Sequence, residues 1–115
     1  MVRLETKLGE VTISQAVLAR MVGIAATSCY GVVGMASRNT SDGLTALLGL
    51  DSYERGVKVD VINDKLHIDL HIVVLYGVNL RAITESIIHK VKYAVEEQSG
   101  FEVGDVTVYV DGMKV

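Results

Sequence analysis

Residues 56–77, GVKVDVINDKLHIDLHIVVLYG, leave the chain few folds to choose from. Val57, Val59 and Val61 alternate with Lys58 and Asp60, and Leu66, Ile68, Leu70 and Ile72 alternate with His67, Asp69 and His71. Successive strand side chains point to opposite faces, so the pattern predicts a hairpin with one buried and one wet face. Charge selects the register. A two-residue turn at Asn63-Asp64 sets Lys58 opposite Asp69 and Asp60 opposite His67. A turn at Asp64-Lys65 would set Asp60 against Asp69, and like charges in direct opposition are unfavourable. After Ile72 the alternation gives way to Val73-Val74-Leu75-Tyr76, apolar on both faces. That end of the strand needs cover on its second face, from a loop of the same chain or from another subunit. Val73 and Leu75 are therefore candidate contact residues.

The flanking segments supply helices. Ser14 is a good N-cap for a helix over 15–30 that stops at Gly31, with Ile13 and Leu18 at the spacing of a hydrophobic staple. Leu18, Met21, Val22, Ala25 and Cys29 form its core stripe. Asn79 caps a second helix that runs to about residue 99, with Leu80, Ile83, Ile87, Val91, Ala94 and Val95 inward. Arg81–Glu85 and Lys92–Glu96 stand four apart on its wet side. Gly100 closes that helix, Phe101 folds back on Val95, and a last strand over 102–111 ends at Gly112. Val11 and Ile13 give a short first strand, and residues 31–36 another.

Residues 1–9 show no clear period and read as irregular. Residues 37–56 read as a connection that can hold a short helix from Asp42 to Leu48, with a mobile flap as the rival reading. The expected architecture is one α+β domain over residues 1–115, a two-layer sandwich of two amphipathic helices on one face of a mixed sheet, in the order β-α-β-(short helix)-β-β-α-β.

The first helix has an unusual second face. Ala16, Ala19, Gly23, Ala26 and Thr27 leave Arg20 as the lone charge between Gln15 and Tyr30. A solvated face usually carries several charges, and a mid-helix Gly costs about 1 kcal/mol against Ala. Ala19, Gly23 and Thr27, four apart, let another backbone come close. One reading is Ala-rich helix filler; the sharper one is a packing surface for a partner or a twin subunit.

No chemistry with site-like spacing emerges. His67 and His71 share a strand face but lie ~13 Å apart, too far to share one ion, and His89 sits on the wet side of the second helix. No metal site or cofactor is expected. Cys29, the only cysteine, has no base or orienting partner in its segment and reads as a buried thiol in a reducing, cytoplasmic setting. There is no phosphate loop with Lys, no G-x-S-x-G elbow and no H-E-x-x-H, so no enzyme is expected. A net charge of −3 argues against nucleic acid, and the G-x-x-G at Gly31–Gly34 lacks the flanking helices and basic neighbours of an RNA clamp. No apolar run approaches the ~20 residues of a membrane span.

GEVTISQAVLARMVGIAATSCYGVVGMAS, RGVKVDV, and the run from LHIDLHIVVLYG to VTVYVDGMKV resemble the alkaline-shock (general-stress) envelope protein family of Gram-positive bacteria. The most specific parts are the Ile-Ser helix start, the Tyr-Gly turn into the second helix, and the ending Val108-Tyr109-Val110-Asp111-Gly112. YGVVGMAS and DGLTALL are similar to the short subtype often encoded beside a dihydroxyacetone-kinase-like fatty-acid kinase. The resemblance implies a non-enzymatic interaction or scaffold protein of envelope homeostasis and stress response. It would self-associate or dock on a protein partner, membrane-anchored in some relatives, which would hold it at the inner membrane face without inserting it. The alternative is an accessory module for a lipid-metabolism kinase, with residues 73–76 contacting an acyl chain.

Overall fold

The computed structural model describes residues 2–6, 8–36 and 55–115, residues 4–6 by their backbone alone. Its elements are β1 (Val2–Thr6), β2 (Gly9–Ile13), α1 (Gln15–Thr27), β3 (Val32–Met35), β4 (Val57–Ile62), β5 (Lys65–Leu75), α2 (Leu80–Ser99) and β6 (Val103–Lys114). The expected short helix at 42–48 lies outside the described residues. Val2–Thr6 is a strand, where the sequence predicts an irregular stretch over residues 1–9. Val2–Thr6 pairs antiparallel with Gly9–Ile13 as a separate two-stranded sheet, and Val2 is buried in the core. Five residues are too few for a period to stand out, and only the pairing with β2 reveals the strand.

β5 is the axis of the main sheet. Its first half pairs antiparallel with β4, its last residues pair antiparallel with β3, and its other edge runs parallel to β6. The sheet is mixed, with both helices contributing to the core beneath its Leu66, Ile68, Leu70, Ile72 and Val74 face. These five side chains are essentially inaccessible, which follows from a strand with neighbours on both edges and helices on one face. The hairpin register matches the charge argument: Lys58 opposes Asp69 and Asp60 opposes His67. Asn63 and Asp64 adopt φ of 53° and 63°, the left-handed pair of a type I′ turn.

β3 and β4 share one edge of β5, and the handover falls at His71. Its carbonyl accepts from the Ala36 amide at 2.9 Å, and its own amide donates to the Gly56 carbonyl at 2.9 Å. Gly56 takes φ of +68°, and a Cβ there would run into the Ala36 carbonyl oxygen. Only glycine fits where the two strands meet.

The helix caps follow the residues. Ser14 Oγ accepts from the Val17 amide at 3.2 Å, and Asn79 Oδ1 from the Ala82 amide at 3.1 Å. α1 ends three residues short of the expected Tyr30. Thr27 and Ser28 hydroxyls donate to the Gly23 and Ala25 carbonyls at 2.8 and 2.7 Å, and the chain turns through Gly31 at φ +89°. α2 ends at Gly100 in the left-handed conformation, as expected. Glu96 does not serve the expected pair with Lys92: its carboxylate accepts from the Val103 amide at 2.9 Å and ties the end of α2 to the start of β6. Gly112 does not end β6. It lies within the strand beside an irregularity opposite Ile72 and Val73, and the strand continues to Lys114.

Candidate interaction surfaces

The outer face of the sheet carries the histidines. His67 Nδ1 lies 3.0 Å from Asp105 Oδ2, and His71 Nδ1 lies 2.8 Å from Asp111 Oδ2. The His71 ring also stacks on Tyr109, with centroids 4.5 Å apart and planes 11° from parallel. Each histidine on β5 thus takes an acidic partner from β6. The charges opposed by the hairpin do not supply these partners: Lys58 Nζ lies 3.8 Å from Asp60 of its own strand, and His67 turns to Asp105 rather than Asp60. Nothing in the order of residues says that β6 lies beside β5, so Asp105, Tyr109 and Asp111 could not be found beforehand. Among the described residues no three His, Cys, Asp or Glu side chains converge on a point where an ion could sit.

Ala19 and Gly23 are not at the surface. α1 lies against β3, β4 and α2, and this leaves Ala19 7% exposed and Gly23 buried. Thr27 is half-buried and spends its hydroxyl on the helix backbone. The missing charge on that face is the mark of a helix covered within its own domain, and the close-approach stripe serves intrachain packing. Cys29 is likewise buried, 3.8 Å from the Ser86 hydroxyl.

Val73 and Leu75 lie on the outer sheet face, Val73 half-buried and Leu75 41% exposed. The fold brings three separate segments to this end. The Leu75 amide donates to the Gly31 carbonyl at 2.9 Å, next to Tyr30; the Tyr76 amide donates to the Lys114 carbonyl at 2.9 Å, between Met113 and Val115. Tyr30 is 87% and Tyr76 71% exposed, and Val33, Met113 and Val115 are exposed with them. Single exposed apolar residues are ordinary, whereas several gathered at one end make a candidate contact surface.

A second apolar surface lies on the helical side, on other residues than the Ala19, Gly23 and Thr27 stripe singled out in the sequence. A groove of about 420 Å³ runs between α1 and α2. From α1, Val17, Arg20, Met21, Ile24, Ala25 and Ser28 line it; from α2, Lys90, Tyr93, Ala94, Glu97 and Gln98 do. Val17 and Ile24 are exposed, and Tyr93 is 65% exposed. The signal was present in sequence: Val17 and Ile24 are large aliphatic residues outside the core stripe.

A family model described as the alkaline-shock protein 23 (ASP23) family, with a cell envelope-related function, matches residues 3–115. The chain belongs to this family. Among its alkaline-shock relatives, YloU of Bacillus subtilis is 42% identical over 115 residues, covering 99% of this chain and 96% of its own length. Spy1614 of Streptococcus pyogenes is 36% identical, covering 99% and 95%. The names of these relatives carry no activity. The fold is similar to that of the MamM CTD: one variant superposes with TM-score 0.54 over 88% of this chain and 100% of that chain, at 14% identity. A copper form gives 0.53 over 88% of each chain. At that identity the likeness concerns the fold alone. No helix among the described residues is long and apolar enough to cross a membrane.

Proposed function

We propose that this alkaline-shock family chain is a non-enzymatic interaction protein that docks on a protein partner in a cell envelope-related role. The observation that carries the reading is the apolar end of the sheet, assembled from residues 30–33, 73–76 and 113–115. Tyr30 and Tyr76 are its anchors, with Leu75 and Val33 on the sheet; large amphipathic rings are the side chains that protein interfaces concentrate. Lys114 is the charge set among them, so this end offers a partner apolar contact and little electrostatic steering. A partner anchored in the membrane would hold the chain at the inner membrane face.

The test is capture from a solubilised envelope fraction by the immobilised full chain, with the retained protein identified. The expected result is one dominant membrane-anchored protein retained by the wild type, lost from Leu75→Asp and Tyr76→Asp, and kept by Ile24→Ser in the helical groove. Equal retention by Leu75→Asp and Tyr76→Asp, with both folded by circular dichroism, rejects the sheet end as the docking surface. Turnover of a substrate by the purified chain rejects the non-enzymatic reading.

A further inference from the structure

The groove between α1 and α2 differs from the sheet end in carrying its own charge pattern. On α2 its lining residues Lys90, Tyr93, Ala94, Glu97 and Gln98 follow helical spacing along one stripe. Lys90 and Glu97 stand seven residues apart, so two turns, ~10 Å, separate them along the axis. Tyr93 and Ala94 lie midway. Neither Lys90 nor Glu97 forms an ion pair among the described residues, whereas Arg81 pairs with Glu85 at 3.5 Å and Glu96 is engaged by the Val103 amide.

Such a stripe is complementary to itself. When two copies of α2 lie antiparallel about a two-fold axis between Tyr93 and Ala94, every residue meets its mirror position. Lys90 then faces the partner's Glu97, Glu97 faces the partner's Lys90, and Tyr93 faces the partner's Ala94. A parallel arrangement would set lysine against lysine. A two-fold contact is isologous, the same patch serving both subunits, and it requires self-complementarity of this kind. The small Ala94 leaves room for the Tyr93 ring, and the groove beside it, with Val17, Met21 and Ile24, is large enough to take that ring.

We infer that the α1–α2 groove is the two-fold interface of a homodimer, in which Tyr93 of each protomer enters its partner's groove and reciprocal Lys90–Glu97 pairs fix the antiparallel register. The inference is independent of the sheet end, which lies on other elements and stays open for a different protein. Its failure and the failure of the proposed docking function are therefore separable.

Sedimentation of the purified full chain over a wide concentration range tests the interface by charge exchange. Wild type is expected to dimerise. Lys90→Glu and Glu97→Lys each place two like-charge contacts across the axis and should weaken the dimer by roughly tenfold or more. The double variant, Lys90→Glu with Glu97→Lys, restores opposite charges at both contacts and should return the dimer to within a few-fold of wild type. All these positions are at the surface, so folding is not at risk. A wild type that stays monomeric at every concentration overturns the inference. So does a dimer indifferent to the single exchanges, or one that the double exchange fails to rescue. Oleate titration supplies the rival outcome: a monomer whose tyrosine fluorescence saturates with oleate, and loses that response in Tyr93→Phe with Ile24→Ser, makes the groove an acyl site instead.

Discussion

Two kinds of surface on this domain treat exposed residues in opposite ways. Along the His67–His71 stretch of the outer sheet face the notable side chains are polar, and the domain itself supplies their partners: Asp105 for His67, Asp111 and Tyr109 for His71. In the helical groove and at the end of the sheet they are apolar, and Val17, Ile24, Leu75, Tyr76 and Tyr93 stand open. Histidines on a strand attract attention as possible ligands, yet here they are the residues whose bonds are already made within the chain. The informative surfaces are the ones that leave apolar area in water, since burying it against a partner is favourable by roughly 25 cal/mol per Å².

The comparison rests on a shared core, and the largest effects should come from breaking that. Leu70 is fully buried at the centre of β5, so Leu70→Ala should cost about 2–5 kcal/mol through lost burial and the cavity left behind. Gly56→Ala, at the meeting point of β3 and β4, forces a Cβ against the Ala36 carbonyl in a backbone conformation L residues resist. It should cost at least ~1–3 kcal/mol. Urea unfolding measures both. Losses under ~1 kcal/mol at both positions would mean that the sheet yields more readily than its packing implies.

Next in size is the link at the end of α2. The Val103 amide is in a buried residue and donates to Glu96. Removing the acceptor with Glu96→Ala should cost ~1–3 kcal/mol, because a buried donor left without a partner loses its hydration as well as its bond. Lys92→Ala, the change that would matter if Glu96 served Lys92 instead, should fall within ~0.5 kcal/mol of wild type. Equal effects from the two substitutions would restore the helix-surface pair.

Particular residues show why some of this was readable in advance. Ser14, Asn79 and Gly100 act through bonds to residues a few positions away, so local chemistry sufficed for both helix starts and the end of the second. The hairpin register was readable because Lys58, Asp60, His67 and Asp69 are joined by a two-residue turn. What depends on strand order was not. Asp105 and Asp111 are 38 and 40 residues from their histidines, and the parallel placement of β6 beside β5 has no local signature. The second face of α1 misled for a related reason. Low charge reports burial, and only the packing of β3, β4 and α2 around the helix says that its own domain does the burying. Leu75, by contrast, lies on the outer sheet face as its place in the alternation required, and it is exposed there.

The His–Asp contacts themselves should be worth less than their appearance suggests. Asp105 is largely exposed and Asp111 partly so, which leaves water to compete for each bond. Asp111→Asn should cost under ~1 kcal/mol and Asp105→Asn less, since exposed ion pairs typically contribute a few tenths. Neither should alter self-association or partner capture. A change in either property would extend the functional surface to the histidine-bearing stretch of the sheet and erase its contrast with the apolar surfaces.

The smallest effect on stability separates the two sides most sharply. Val17→Ser and Ile24→Ser remove exposed aliphatic side chains, so each should leave urea unfolding of the monomer within ~0.5 kcal/mol of wild type. In a folded state that has no further partner these residues already touch water, and shortening them costs little. In an assembled state they are buried, and the same substitutions should shift the dissociation constant of self-association by about tenfold each. Asp111→Asn should leave assembly unchanged, whatever its small cost in stability. Unfolding at a concentration far below the dissociation constant, set beside sedimentation above it, reads both quantities on the same proteins. Should Ile24→Ser destabilise the isolated chain by more than ~1 kcal/mol, the groove is part of the domain's own core and its openness to a partner is disproved.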